Sequence, residues 1–143
     1  MPLAIVLSAF FFNIVNGLIN GYFLSNINLH SVSIFLITGF LLFVLGLYIN
    51  ISSDNKLINL RKIKKGYFVP KGGLFKYISC PNFFGEILEW FGFALMTFNI
   101  GTLSFFIWTC CNLIPRALAH HTWYKNKFNR YPKERKAILP FLI

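Results

Sequence analysis

Four long apolar stretches alternate with polar segments along this chain, and the alternation predicts its fold. The stretches cover roughly 3–24, 32–51, 82–98 and 102–119. A helix needs about 20 apolar residues to cross a bilayer core of about 30 Å, so each stretch is predicted to span the membrane. The short amphipathic segment Leu74–Ser79 predicts an interfacial helix. The pattern therefore predicts an all-α membrane protein with about four transmembrane helices, folded as one domain over 1–143.

The composition excludes an ordinary soluble domain. Of the 143 residues, 56% are hydrophobic and only 13% are charged, and the mean hydropathy is +0.60. Soluble domains carry about 25% charged residues. The net charge of +10 does not indicate a nucleic-acid partner, because the basic residues lie in two blocks that flank apolar stretches. Membrane lipids are the expected surroundings.

The distribution of Lys and Arg predicts the orientation in the membrane. All fourteen lie either between the second and third stretches or from Arg116 to the tail at 123–143. The connections at 25–31 and 99–101 contain none. Because basic connections stay in the cytosol, the tail is predicted to be cytosolic. The second and fourth stretches then end at the cytosolic side, and the third begins there.

Cysteine and histidine positions give no sign of a disulfide or a metal site. Cys80, Cys110 and Cys111 are odd in number, and the last two are adjacent, so small buried thiols are expected. His120 and His121 are neighbours and point to different faces of a helix, which argues against shared zinc ligation. Dinucleotide-fold and phosphate-loop glycine motifs are also missing from the sequence.

Polar and charged side chains collect at the predicted cytosolic ends of three stretches, at helical spacing. The second stretch ends with Asn50, Asp54 and Arg61, the third begins with Asn82, Glu86 and Glu89, and the fourth ends with Arg116, His120 and Tyr124. Ionisable groups at such depths cost about 2.5–3.5 kcal/mol each and usually mark a ligand site.

Two interpretations of these ends stay open. Oxygen acceptors for ribose and amide groups, mixed with cations for phosphates, suit a nucleotide that arrives from the cytosol. Alternatively, the groups neutralise one another across helices, for example Glu86 with Arg116, and only hold the helices together. Buried charge networks are seldom favourable for stability alone, which supports the ligand hypothesis.

The first stretch carries a separate polar face. Asn13, Asn16 and Asn20 lie on one side of a helix, beside Gly17 and Gly21. Small residues and amides are typical of contacts between membrane helices, so this face is predicted to pack against another helix. A ligand-lining face is the alternative.

Two long motifs and two short ones carry a resemblance to a known family. The long ones are GGLFKYISCPNFFGEILEW over 72–90 and a pattern from Arg116 to Phe141 that includes His120-His121, Trp123-Tyr124 and Ile138-Leu139-Pro140-Phe141. Asn50-Ile51-x-Ser53-Asp54 and the pair formed by Asn16-Gly17 and Gly21-Tyr22 are the short ones. Together they resemble the steroid 5α-reductase family over the whole chain. The tail motif is shared with polyprenol reductases and very-long-chain enoyl-CoA reductases, whereas the 72–90 motif favours the steroid branch.

The resemblance implies a fold and an activity. Members are seven-helix enzymes of the endoplasmic reticulum membrane that pass a hydride from NADPH to the Δ4 double bond of a 3-oxo-steroid. This chain would correspond to the last four helices and would supply the NADPH-binding part. Family positions that line the NADPH site match Asn50, Asp54, Arg61, Asn82, Glu86, Arg116, His120 and Tyr124. The resemblance assigns no such role to Glu89, which is interpreted as a helix-packing or network residue.

The chain departs from the family pattern in two places. Phe68 stands where the family usually has a basic residue near the cofactor phosphate, and Lys64, Lys65 and Lys71 are the candidate substitutes. The family's catalytic Glu and Tyr lie in helices before the matched region, so a truncated chain is expected and its catalytic residues stay unknown. Hydride delivery to an enone needs a hydrogen-bond donor at the carbonyl oxygen. Tyr22 and Tyr48 stay open for that role.

Three alternatives to a steroid reductase stay open from the sequence. The first is that the chain acts on another lipid, as a polyprenol or enoyl-CoA reductase. The second is that it is a truncated homologue that keeps the fold and has lost the catalytic activity. The third and more remote one is a membrane methyltransferase with similar helix ends.

Overall fold

The computed structural model describes residues 3–25, 34–63, 66 and 68–143. Four long helices account for most of them: α1 (Leu3–Ser25), α2 (Ile34–Ile63), α3 (Pro81–Thr97) and α4 (Ile100–Lys127). A single 3-10 turn, Gly73–Lys76, lies where an interfacial helix was predicted. Within these ranges the only β-type pairing is an isolated parallel bridge between Ile78 and Lys136. The predicted all-α class is confirmed. Most of the 25–31 connection, and the candidates Lys64 and Lys65, lie outside the described residues.

Three of the helices have the length and apolar composition needed to cross a membrane. These are α1, α2 and α4. Helix α3 has 17 residues, which corresponds to about 25 Å at 1.5 Å per residue. Many large apolar side chains remain exposed along the helices, including Phe10 and Phe40 at 65% and 56%. A chain with this surface is a multi-pass membrane protein, because water does not tolerate so much exposed apolar area.

Helices α2 and α4 continue well past the apolar stretches that predicted them. Helix α2 runs on from Ile51 to Ile63, and α4 from Ala119 to Lys127. The added residues are mostly polar, and they include no Gly or Pro that would end a helix. The extensions carry Asp54, Arg61 and Tyr124 away from the apolar stretches on rigid helical supports.

Glycines set a close contact between α2 and α3. A Cβ atom on Gly85 would lie 2.6 Å from the Asn50 backbone nitrogen and 2.7 Å from the Gly46 carbonyl oxygen. Gly92 and Gly39 form a second such pair, seven residues away along each helix. A Cβ on Gly92 would lie 2.6 Å from the Gly39 carbonyl oxygen. Only residues without a side chain allow two helix backbones this close, as in other membrane helix pairs. The contact fixes Asn50 beside the first turns of α3.

A tight turn joins α3 to α4. Phe98 closes α3 in the left-handed region, with φ of 47°, and its N–H donates to the Ala94 carbonyl. The Asn99 side chain caps α4 by accepting from the Thr102 N–H at 3.0 Å. Such a cap typically contributes about 1 kcal/mol. The turn makes α3 and α4 antiparallel neighbours. The start of α3 therefore lies level with Arg116 and Ala117, and α4 continues beyond it to Lys127.

The tail after α4 folds back onto the start of α3. Backbone bonds run from Ser79 N–H to the Lys136 carbonyl at 2.8 Å and from Cys80 N–H to the Ala137 carbonyl at 3.1 Å. Ile78 and Ile138 are almost fully buried, at 0% and 1% exposure. The tail is therefore a packed part of the structure that supports the ends of α3 and α4.

On α1, two of the predicted amides bond within their own helix. The Asn20 amide donates to the Asn16 side chain at 2.9 Å and to the Asn16 carbonyl at 3.0 Å. Among the described residues, Gly17 and Gly21 meet no atom within 4 Å of an added Cβ. Asn16 and Asn20 lie on the face of α1 that is turned toward α4, where Phe12 stacks on Trp108 at 4.4 Å. The predicted packing of the amide face against another helix is therefore present, without the two glycines.

Candidate functional site

A cavity of about 580 Å³ lies between the extended ends of α2 and α4, closed by Gly66 and Phe68. Four of the eight predicted site residues line it: Arg61, Arg116, His120 and Tyr124. We refer to it as the first cavity. Its volume is in the range of pockets that bind small molecules, about 300–1,000 Å³.

Helical spacing explains why these residues meet. Arg116, His120 and Tyr124 are four residues apart and form one stripe on α4. On α2, Arg61 lies on the same side as Leu57, which also lines the first cavity. Arg61 is close enough to Tyr124 to interact with it electrostatically. Two guanidinium groups from different helices thus face one space.

Glu86 and Asp54 lie beside the first cavity without forming its wall. Glu86, near the start of α3, interacts electrostatically with Arg116 and with Asp54. The Arg116 guanidinium lies over the Phe83 ring, 5.6 Å from its centroid. A carboxylate and an aromatic face therefore both attract Arg116 from the α3 side. The attraction between Glu86 and Arg116 that the sequence analysis considered is present, and it acts beside the cavity.

Asn50 and Asn82 stand further from the first cavity. Asn50 lies close enough to Glu89, one turn after Glu86, for their side chains to interact, and the Glu89 backbone lies against Gly46 of α2. Asn82 is half-buried in the first turn of α3 and does not line the first cavity. Both lie on the contact between α2 and α3 or next to it, because Gly85 brings the two backbones together there. Glu89 thus connects the two helices, in agreement with its interpretation as a packing residue.

Sequence reasoning missed a hydrogen-bonded hub behind the first cavity. The Ser79 hydroxyl oxygen lies 2.6 Å from His121 Nδ1, 2.5 Å from the Tyr131 hydroxyl and 2.9 Å from the Lys136 carbonyl oxygen. A hydroxyl has one hydrogen and two lone pairs. It therefore donates to the Lys136 carbonyl and accepts from Tyr131 O–H and His121 Nδ1–H. Ser79 joins the segment before α3, the end of α4 and the tail.

The hub is linked to the first cavity by stacked rings. Tyr131 stacks on Tyr124 with centroids 5.7 Å apart and planes only 13° apart. Tyr124 also stacks on Phe128 at 5.9 Å. His120 faces the first cavity and its neighbour His121 faces the hub, as adjacent helical residues must. No local spacing connects Ser79 to Tyr131, because the two residues are 52 positions apart in the sequence.

Cys80 shows how closely the tail covers this region. It packs with Ala117, Ala137 and Ile138 in one buried cluster. Burial raises the pKa of the Cys80 thiol to about 12, so it stays protonated near neutral pH. Among the described residues, no group of three or more His, Cys, Asp or Glu side chains is arranged to hold a metal ion.

Comparison with known proteins gives the family. A family profile described as 3-oxo-5-alpha-steroid 4-dehydrogenase matches residues 1–143, the whole chain. The chain belongs to this family. Its resemblance to the steroid 5α-reductases is thereby confirmed, and the family is one of oxidoreductases.

Plant and animal relatives are about equally similar to this family member. The steroid 5-alpha-reductase DET2 of Arabidopsis thaliana is 44% identical over 148 residues, covering 99% of this chain and 56% of the relative. The 3-oxo-5-alpha-steroid 4-dehydrogenase 1 of Bos taurus is 44% identical over 148 residues, covering 100% and 58%. The human protein of that name is 44% identical over 149 residues, covering 100% and 57%. The chain spans a little more than half the length of these relatives.

Proposed function

We propose that this chain supplies the NADPH-binding part of an oxidoreductase that reduces the Δ4 double bond of 3-oxo-steroids. The observation that carries the proposal is the first cavity, where Arg61 and Arg116 converge from two helices. The reductase names of its relatives support the reaction and the steroid substrate. They also favour a steroid over a polyprenol or an enoyl-CoA.

The donor set of the first cavity fits a dinucleotide. Guanidinium groups bind phosphate oxygens through paired N–H donors, and Arg61 and Arg116 would hold the pyrophosphate. Trp123 and Tyr124 add aromatic surface to the wall of the cavity, and His120 adds a polar group. Glu86 attracts Arg116 from behind and would keep its guanidinium aimed at the ligand.

In this proposal the chain's residues bind and orient, and the bound cofactor supplies the hydride. Reduction of an enone also needs a donor at the carbonyl oxygen, where negative charge develops. Tyr22 and Tyr48 lie on α1 and α2 and are largely exposed, at 69% and 70%. They are the open candidates within this chain for that donor.

We further propose that the protein resides in the endoplasmic reticulum membrane with its tail in the cytosol. The basic residues at the ends of α2 and α4 support this orientation, because Lys and Arg favour the cytosolic side. Protease added to sealed microsomes should then remove an epitope fused after Ile143. Full protection of that epitope would refute the orientation.

Titration of the purified chain with NADPH tests the cofactor proposal. Arg116→Ala should raise the Kd roughly 10- to 100-fold, because a hydrogen bond to a charged group contributes about 1.5–3 kcal/mol. Glu86→Gln should raise it less, since Glu86 only orients Arg116. Lys133→Ala, which removes an exposed cation of the tail outside the first cavity, is the matched control. Equal affinity in wild type, Arg61→Ala and Arg116→Ala, with all three folded by circular dichroism, would reject the site.

A further inference from the structure

Three residues of the tail present apolar side chains outward at the polar end of the molecule. Phe141 and Leu142 are 79% and 72% exposed, and Ile143 is 40% exposed. Tyr77 extends the same surface, because its half-exposed ring lies 5.8 Å from the Phe141 ring. We call these four residues the apolar tip. Clustered apolar side chains on a surface mark a contact with a membrane or with another molecule.

The backbone that leads to the apolar tip closes on itself. The Ile143 backbone oxygen accepts from the N–H groups of Ile138 and Leu139 at 2.9 and 2.8 Å. Leu142 N–H donates to the Leu139 carbonyl at 3.3 Å, and Pro140 has no N–H to satisfy. A segment that leaves water must pair its backbone groups internally, because lipid tails offer no hydrogen-bond partner. This loop is therefore suited to surroundings with little water.

Phe141 turns the chain outward through a left-handed backbone conformation, with φ of 68°. Bulky residues rarely adopt it, and it persists where other contacts compensate for the strain. The turn directs the Phe141 ring away from the buried cluster in which Ile138 is packed. Transfer of that ring from water into an apolar medium provides the missing compensation.

The apolar tip lies at the depth where the membrane-spanning helices meet water. Ile138 packs in one cluster with Ala117, which lies in the last turn of the apolar stretch at 102–119. The two residues before Ile138 pair with Ser79 and Cys80, directly before α3. Helix α3 covers only about 25 Å of a bilayer core of about 30 Å. Residues beside its first turn therefore lie at the edge of that core.

Lysine side chains flank the apolar tip. Lys76 precedes Tyr77 and is exposed. Lys136 lies across from Tyr77, because its N–H donates to the Tyr77 carbonyl at 2.9 Å. In the tail segment 132–137, three residues are basic and only Glu134 is acidic. Aromatic rings flanked by Lys are typical of the membrane interface, where ammonium groups reach the lipid phosphates.

We propose that the apolar tip inserts into the membrane interface and anchors the tail there. Its partner is the boundary between phospholipid headgroups and acyl chains, at the membrane face where α2 and α4 end. The anchor bears on the polar end of the molecule, because the same tail supplies Tyr131 to the Ser79 hub and covers Cys80. The inference requires only that the chain spans a membrane, and it is independent of the proposed cofactor function.

Spin labelling of the reconstituted full chain tests the insertion. A nitroxide would be attached at Leu142→Cys in a Cys110→Ser, Cys111→Ser background, in vesicles of phosphatidylcholine and phosphatidylserine. Cys80 is 6% exposed and its thiol stays protonated at pH 7, so the label goes to the new cysteine. The label should collide with oxygen, which concentrates in lipid, at least threefold more often than with a water-soluble nickel chelate. Lys133→Cys, on an exposed position of the same tail, is the matched control and should show the reverse.

Two results of this experiment would overturn the inference. A Leu142 label as accessible to the chelate as the Lys133 label would place the apolar tip in water. A Leu142 label shielded from both reagents would show that protein covers the tip, either a second copy of this chain or another polypeptide.

The anchoring has a separate readout in Cys80. In the same background and vesicles, Leu142→Asp places a charge in the interface and should speed maleimide labelling of Cys80 at least threefold, because the tail then loosens. Lys133→Asp makes a larger change in charge outside the apolar tip and should leave the rate unchanged. Equal rates in the two variants would mean that the tip does not hold the tail.

Discussion

The Ser79 side chain is the centre of the hydrogen-bonded hub behind the first cavity. Its hydroxyl group forms three hydrogen bonds, to groups on α4 and in the tail. It is 4% exposed, so water does not replace a lost partner. Through Tyr131 and Tyr124 the same contacts reach the cavity wall. The position of the tail and the position of the Tyr124 ring are thus linked.

Ser79→Ala should loosen the tail from the start of α3. The change removes three hydrogen bonds of the Ser79 hydroxyl, and at most one is regained, between Tyr131 and His121, which lie 3.3 Å apart. A net loss of two hydrogen bonds costs about 1–3 kcal/mol, at about 0.5–1.5 kcal/mol each. Cys80 reports the loosening, because its burial holds its pKa near 12 and suppresses the reactive thiolate. In a Cys110→Ser, Cys111→Ser background, Ser79→Ala should speed maleimide labelling of Cys80 at pH 8 by tenfold or more.

Ser104→Ala is the matched control for that experiment. Within the described part of the chain, the Ser104 hydroxyl bonds only the Ile100 carbonyl of its own helix, at 2.7 Å, and it is exposed. Its loss should leave Cys80 labelling unchanged. Equal labelling rates in Ser79→Ala and the control would mean that the hub does not hold the tail.

At this scale, local spacing predicted part of the candidate site. The interval of four between Arg116, His120 and Tyr124 predicted one stripe, and the three side chains do share the first cavity. The same helical geometry predicted that His121 points to a different face from His120. The Ser79 hub was not predictable, since its partners lie 42 to 57 residues away in sequence. The role of all eight residues in cofactor binding stays a prediction.

At the scale of elements, the contact between α2 and α3 places the polar groups near the cavity. Gly39 and Gly46 of α2 face Gly92 and Gly85 of α3. The contact determines the depth at which Asn50 and Glu86 lie, and hence how close Glu86 comes to Arg116. The position of α3 along α2, and not only side-chain chemistry, therefore determines which polar groups come close to one another.

Gly85→Ala should separate α2 from α3. An added Cβ would meet the Asn50 backbone nitrogen at 2.6 Å, and backbone atoms cannot move aside as a flexible side chain can. Overpacking of this kind costs about 1–3 kcal/mol or more. Thermal unfolding in detergent should show a lower Tm, and NADPH affinity should fall as Glu86 shifts.

Gly17→Ala provides the comparison for Gly85→Ala. Nothing lies within 4 Å of a Cβ at Gly17 on α1, and Ala is the better helix former. Its Tm should equal or exceed that of the wild type. If both variants unfold at the wild-type temperature, the close contact between α2 and α3 is wrong.

The helices were predicted from hydropathy, but two of their ends were not. Apolar length reflects the thickness of the bilayer, whereas a helix continues until its backbone or turn residues stop it. Helix α2 thus passes Ile51 and reaches Ile63, shortly before Gly66 with φ of 118°. Asn50, Asp54 and Arg61 share one side of a helix only if it continues past Ser53, and α2 does so.

For the whole molecule, the fold class followed from composition and the arrangement of the tail did not. Four apolar stretches in a weakly charged chain left few alternatives to a helical membrane protein. The folded tail depends on pairings such as Ile78 with Lys136, which no local pattern in the sequence specifies. The result is a compact polar end of the molecule, built by α2, α3, α4 and the tail together.

Photoaffinity labelling tests most directly whether this polar end holds the dinucleotide. The purified chain would be irradiated with an azido-adenine analogue of NADPH, and the labelled peptides would be mapped by mass spectrometry. We predict labels within 56–61, 68–71 and 116–130, suppressed by excess NADPH. Labels on α1 that NADPH suppresses, or labels at the polar end that excess NADPH leaves unchanged, would contradict the proposed site.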